Sequence, residues 1–136
     1  MDSKIIVKAL INADSKKVWN YYTNPKHIIN WNFAHSSWHC PRAENDMKVG
    51  GRYFARMEAK DGSDGFDFIA NYIEIDEGKQ FSYGFDKRIV TIKINLVKDN
   101  TELVVVYDPE TENPIDIQRN GWQAILNNFK NYVEIN

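Results

Sequence analysis

The stretch QFSYGFDKRIVTIKINLVKDNTELVVVY, residues 80–107, decides the fold. Within it Val90, Ile92, Ile94 and Leu96 alternate with Thr91, Lys93 and Asn95. That period of two puts successive side chains on opposite faces of a strand. Gln80–Phe85 and Thr101–Tyr107 flank the strand Ile89–Val97 as further β-rich runs, with Asp86-Lys87 and Lys98-Asp99-Asn100 between them. Segments this short allow only tight turns, so neighbouring strands pair as antiparallel hairpins.

The same grammar extends upstream. Gly51–Met57 and Phe66–Ile75 read as strands, separated by the loop Lys60–Gly65 and closed by Asp76-Glu77-Gly78. Residues 4–11 are rich in β-branched side chains and predict a strand. Asp14 or Ser15 then caps a helix carrying Val18, Trp19 and Tyr22 on one side. Asn24-Pro25 breaks it, and Pro25 suits the first turn of a second short helix ending at Ile29. Residues 30–46, which hold Trp31, His35, Trp38, His39 and Cys40, read as irregular. At the far end Asn113 is the expected N-cap and Pro114 the first residue of a helix running to about Glu134, roughly 30 Å long. Trp122, Ile125, Leu126, Phe129 and Val133 form its apolar stripe.

The expected fold is therefore α+β: a curved antiparallel sheet of about six strands wrapped around one long C-terminal helix, with two short helices after the first strand. Residues 1–136 form a single domain in this reading. Only the long helix is large enough to cover one face of the sheet. A strongly curved sheet over one helix tends to leave a gap, and 18 aromatic residues, four of them Trp, supply walls for it. Gly121 lies inside that helix, and close approach of the sheet backbone is the expected reason.

Composition narrows the function classes. A net charge of −2, with 17 basic residues spread along the chain, implies no nucleic-acid or anionic-membrane face. The single cysteine excludes an intramolecular disulfide. Met1 to Lys4 lead into only a short apolar stretch interrupted by Lys8, neither a signal peptide nor a membrane span, so a cytoplasmic location is expected.

The chain resembles the START-like, helix-grip (SRPBCC) superfamily, which includes the birch-pollen allergen and polyketide cyclases. More closely, it resembles the bacterial single-domain family related to the activator of the heat-shock-protein ATPase. The residues carrying this are Val18-Trp19, Thr23-Asn24-Pro25, Trp31, Trp38-His39, Asp46 to Gly51, Met57 to Gly62, Gly65 to Phe68, and Gln118 to Leu126. The resemblance implies a pocket between sheet and helix, commonly apolar and ligand-binding, with no shared cofactor and no shared catalytic triad.

Individual residues carry two readings each. Trp31 and Trp38 either cap the core or stack on a flat apolar ligand, and Trp122 on the inner helix stripe does either or both. Period two pairs Tyr53 with Met57, Phe66 with Phe68, and Tyr83 with Phe85 on common faces, as core or as cavity lining. Which face of Phe66–Ile75 looks inward is open, since Asp67, Ile69, Asn71 and Ile73 make a mixed opposite face. His35 reads as a structural hydrogen-bonder or as a group orienting a ligand hydroxyl or carboxylate. His35, His39 and Cys40 do not make a zinc site, because His39 and Cys40 are adjacent and no second Cys exists. Asp46, before Gly50-Gly51, reads as a turn residue bonding its own backbone. The glycines read as a bulge or tight bend rather than a phosphate loop.

The expected function is binding of a hydrophobic small molecule, lipid-like or aromatic, through Trp31, His35, Trp38, Tyr53, Met57, Phe66, Phe68, Tyr83, Phe85 and Trp122, with no cofactor or metal. Two alternatives stand beside it. One is a co-chaperone-like interaction module with a chaperone partner. The other is a cyclase- or hydrolase-type enzyme, which requires His35, His39 or Asp46 to face the cavity.

Overall fold

Period-two patterning becomes strand wherever tight turns separate the runs. The computed structural model describes residues 4–136. The elements in order are β1 (Ile5–Ile11), α1 (Ser15–Thr23), α2 (Pro25–Ile28), β2 (Trp38–Asn45), β3 (Arg52–Ala59), β4 (Gly65–Asp76), β5 (Gln80–Phe85), β6 (Arg88–Val97), β7 (Asn100–Tyr107) and α3 (Ile115–Ile135). They make one curled, seven-stranded, antiparallel sheet in the order β1-β7-β6-β5-β4-β3-β2.

The seventh strand corrects the sequence reading. Residues 30–46 are not irregular throughout, because β2 occupies 38–45 and pairs with β3. Pro41 hid it: proline has no N–H to donate and argues against a paired strand. Here it sits in the register break between His39 and Arg42, on the outermost strand, where a missing donor costs little.

Local signals set the helix starts. The Asp14 carboxylate accepts a hydrogen bond from the Lys17 N–H at 2.8 Å, and the Asn24 side chain accepts from the Lys26 N–H at 3.0 Å ahead of Pro25. At α3 the expectation fails. Asn113 does not cap the helix; Pro114 holds the cap position with no side-chain cap. Glu110 holds the Asn113 N–H instead, at 2.6 Å, and the Gln118 side chain bonds the backbone at Glu110 and Asn113, tying the loop to the first turn.

The placement of α3 creates the space beneath the sheet. Its closest sheet neighbour is β1, an edge strand. Gln123 and Lys130 donate to the Lys8 and Leu10 carbonyls at 3.1 and 2.8 Å, and Glu134 accepts from the Asn12 N–H at 2.8 Å. These contacts cover polar backbone at an open sheet edge. Phe129 and Val133, toward the C-terminal end of α3, are fully buried. Leaning toward β1, the helix leaves the inner faces of β3, β4 and β5 to be filled by long aromatic side chains.

On β4 Ala70 and Tyr72 are buried with Phe68 packed behind them, while Ile69 and Ile73 point out and are nearly half exposed. On β6 Val90, Ile92 and Ile94 are buried, but Leu96 has run past the core and is 72% exposed.

Two glycines behave oppositely. Gly51 closes a tight bend whose N–H bonds the Lys48 carbonyl at 2.8 Å, while the Asp46 carbonyl, not its carboxylate, accepts from the Lys48 N–H at 2.8 Å. A Cβ on Gly51 would overlap the Asp46 carbonyl oxygen. Gly51→Ala is expected to destabilise the protein by about 2–3 kcal/mol. Gly121 has nothing within 4 Å of a Cβ position, so close sheet approach does not explain it. Gly121→Ala is expected to gain about 0.8–1 kcal/mol from helix propensity. Urea unfolding of the two variants reads both signs.

Candidate ligand cavity

Between the inner sheet face and the middle of α3 lies a cavity of about 220 Å³. Its walls are Tyr53 and Met57 from β3, Phe66, Phe68 and Tyr72 from β4, Phe81 and Tyr83 from β5, and Val105 from β7. Trp122, Ile125 and Leu126 of α3, Tyr22 of α1, and Trp31 and Asn32 complete it. No side chain of Asp, Glu, Lys, Arg or His is among them.

The aromatic walls brace one another. Tyr53 and Tyr83 stack with centroids 5.6 Å apart and planes 16° apart, and Phe68 meets both edge-on. Trp31 stacks on Tyr22 at 4.9 Å and meets Phe129 edge-on at 4.9 Å, while its indole N–H donates to the Tyr21 carbonyl at 3.0 Å. Trp122 stacks on Tyr107 at 4.3 Å. The Tyr107 hydroxyl is buried without a hydrogen-bond partner among the described residues.

Of the ten residues singled out from the sequence, Trp31, Tyr53, Met57, Phe66, Phe68, Tyr83 and Trp122 line this cavity. Phe66 sits half exposed at its rim. The other three lie outside the lining. Trp38 packs beside Phe66 at 6.1 Å, His35 is exposed, and Phe85 lies against Phe68 with the Arg88 guanidinium 4.5 Å from its ring. Sequence reasoning missed Tyr72, Phe81, Val105, Ile125 and Leu126 as lining, and Tyr22 and Asn32 with them. Tyr72 and Phe81 were recoverable from period two once a face was chosen.

Electrostatics of the cavity disfavour charge. Burial, the largest cause in each case, raises Tyr22, Tyr53 and Tyr83 well above the ordinary tyrosine value, and neighbouring tyrosines push the same way. Tyr72 is raised too, despite donating to the Asn45 side-chain oxygen at 2.6 Å. Burial lifts the nearby Cys40 thiol to about 11. His39 lies on the other side of the sheet edge, 3.5 Å from Glu58, and Asp46 pairs with Lys48 at 3.6 Å. Among the described residues no three His, Cys, Asp or Glu side chains gather as metal ligands. No described helix is long and apolar enough to cross a membrane.

A second polar knot holds α2 to α3. The His27 ring stacks on Tyr21 at 3.9 Å and its Nδ1 meets the Tyr132 hydroxyl at 2.8 Å. Burial, with Lys26 beside it, lowers the His27 pKa. The fold therefore favours the neutral ring, and the unfolded chain binds the proton more readily. Stability is expected to fall as pH drops through the ordinary histidine value near 6.5, with the full contribution present above it. Urea midpoints at about pH 7.5 and 5.5 check this: the drop should shrink in His27→Gln.

A curled antiparallel sheet gripping a long C-terminal helix, with an apolar hollow between them, defines the helix-grip class. The sequence profile described as "Activator of Hsp90 ATPase homolog 1-like protein" matches residues 12–134, and the chain belongs to that family. The AHSA1-like protein from Aeromonas hydrophila, solved in solution, superposes with a TM-score of 0.92 at 36% identity, covering 98% of this chain and 93% of that one. A Cytophaga hutchinsonii protein gives 0.84 at 43% identity over 97% and 92% of the two chains. One from Chromobacterium violaceum gives 0.85 at 23% identity over 96% and 97%, a likeness of fold alone. Among curated proteins none matches.

Proposed function

We propose that the protein binds a small apolar ring compound in the cavity under the sheet. The observation that carries this is an unfilled volume of about 220 Å³ in an otherwise closely packed aromatic core. The walls of that volume are almost wholly apolar and aromatic, surface that gains by being covered. A core selected for packing alone would have closed it.

Size limits the ligand. An apolar cavity of about 150 Å³ accepts benzene, whereas drug-sized ligands occupy roughly 300 Å³ or more. One or two fused rings, or a short branched chain, match this cavity; a sterol exceeds it. The lining supplies stacking faces and no acid–base pair: His35, His39 and Asp46 do not enter it. That favours binding over the enzyme alternative.

Proton–nitrogen NMR titration with ethylbenzene, acetophenone, naphthalene and cholesterol tests the proposal. Saturable shifts are expected for the three smaller probes, centred on Trp31, Phe68, Tyr83 and the Trp122 indole, with none for cholesterol. Silence from all three small probes overturns it. The interaction-module alternative draws on a different surface, the groove between Ile69, Ile73 and Ile89 on the outer sheet face, each nearly half exposed. Shifts confined to that groove on adding a heat-shock-protein ATPase would favour it.

A further inference from the structure

The fold pairs its tyrosine hydroxyls where it uses them structurally. Tyr72 donates to Asn45, and Tyr132 meets His27. The hydroxyls of Tyr22, Tyr53 and Tyr83 have no protein partner among the described residues, yet they are not sealed in: Tyr107 holds the one sealed, unpaired side-chain polar atom among those residues. All three residues line the cavity, and their hydroxyls are neither sealed nor bonded to protein groups among the described residues. Phenylalanine is accepted on the same walls, at Phe81 two residues before Tyr83 and at Phe68 opposite it. A site meant only for hydrocarbon gains nothing from three unmatched hydroxyls, each of which costs free energy when it loses water unpaired.

The cavity also has no countercharge. Among the described residues no cationic side chain lines it; Arg56 of β3 bonds Glu58 and Asp67 at 2.9 and 3.2 Å, and Arg119 of α3, whose charge is felt at Tyr107, pairs with Asp116 at 3.2 Å. An anion entering the cavity would shed its hydration with no cation to meet it. The burial that raises the three tyrosines reports the same intolerance of negative charge.

We infer that the cavity selects a neutral ring compound bearing a hydrogen-bond-accepting oxygen, a ketone being the simplest case, received by the hydroxyls of Tyr53 and Tyr83 with Tyr22 beside them. This rests on the apolar-cavity reading above and adds the polar half of the ligand. It excludes carboxylates of the same size.

Three near-isosteric probes separate the possibilities: acetophenone, ethylbenzene and benzoate, titrated into the wild type and into Tyr53→Phe/Tyr83→Phe. These hydroxyls bond nothing in the protein, so the double variant should keep its amide spectrum. In the wild type acetophenone is expected to bind about tenfold more tightly than ethylbenzene, a difference of about 1.4 kcal/mol, and benzoate more weakly than either. In the double variant the ketone preference should fall below about threefold, the two lost phenol donors being its source. Equal binding of ketone and hydrocarbon to the wild type overturns this inference while leaving the cavity reading intact. Benzoate binding most tightly also overturns it. No binding of any probe removes the cavity reading, and this inference with it.

Discussion

Phe129→Ala is expected to lower the unfolding free energy by about 3–5 kcal/mol, the range for deleting a fully buried phenylalanine. Phe129 has no solvent exposure and lies where three parts of the structure meet. Its ring meets Trp31 edge-on at 4.9 Å and Tyr22 edge-on at 5.0 Å. It thus locks α3 to α1 and to the segment after α2. Truncation here removes dispersion contacts on all sides, and it joins a new void to an existing cavity, so collapse of the surroundings is poor compensation. With an ordinary net stability of about 5–15 kcal/mol, the variant should unfold at a markedly lower urea concentration or fail to fold at physiological temperature. A measured loss below about 1 kcal/mol would mean that α3 does not seat as described.

Val105→Phe should act in the opposite sense. Val105 lies on the inner face of β7, buried, with its side chain on the cavity wall. Phenylalanine suits a strand, and its added volume has space to enter. Filling an existing void commonly gains about 0.5–2 kcal/mol. The same ring occupies the place proposed for the ligand, so affinity for acetophenone or naphthalene should fall at least tenfold. Thermal unfolding and NMR titration of one variant therefore give a coupled expected result: higher melting temperature, weaker binding, and loss of the ligand-induced stabilisation expected of the wild type. A more stable variant that binds as well as the wild type would place the ligand elsewhere.

Much of this was legible from residue order. Alternation in 89–97 and the turns at Asp86-Lys87 and Lys98-Asp99-Asn100 set the antiparallel hairpins; Asp86, Lys87 and Lys98 do adopt positive φ in those turns. Asp14, Asn24 and Pro25 mark helix starts because capping is a local hydrogen bond between a side chain and the next N–H groups. What failed was also local in form. Pro41 masked β2, since only an edge position makes its missing donor harmless. Asn113 lost its capping role to a loop knot of Glu110 and Gln118 that no single-residue preference encodes.

The sequence by itself therefore determined the element types apart from β2, the antiparallel pairing of the other neighbouring strands and the aromatic supply for an inner wall, because periodicity and turn chemistry act over a few residues. Only the tertiary structure decided which face of β4 looks inward, that Tyr72, Phe81 and Val105 join the wall, and that His35, Trp38 and Phe85 stand outside the lining. It also decided that a cavity remains at all. The lean of α3 toward the edge of β1 sets the distance across the core, and that distance is fixed by contacts between residues more than a hundred positions apart, such as Lys130 with Leu10 and Asn12 with Glu134.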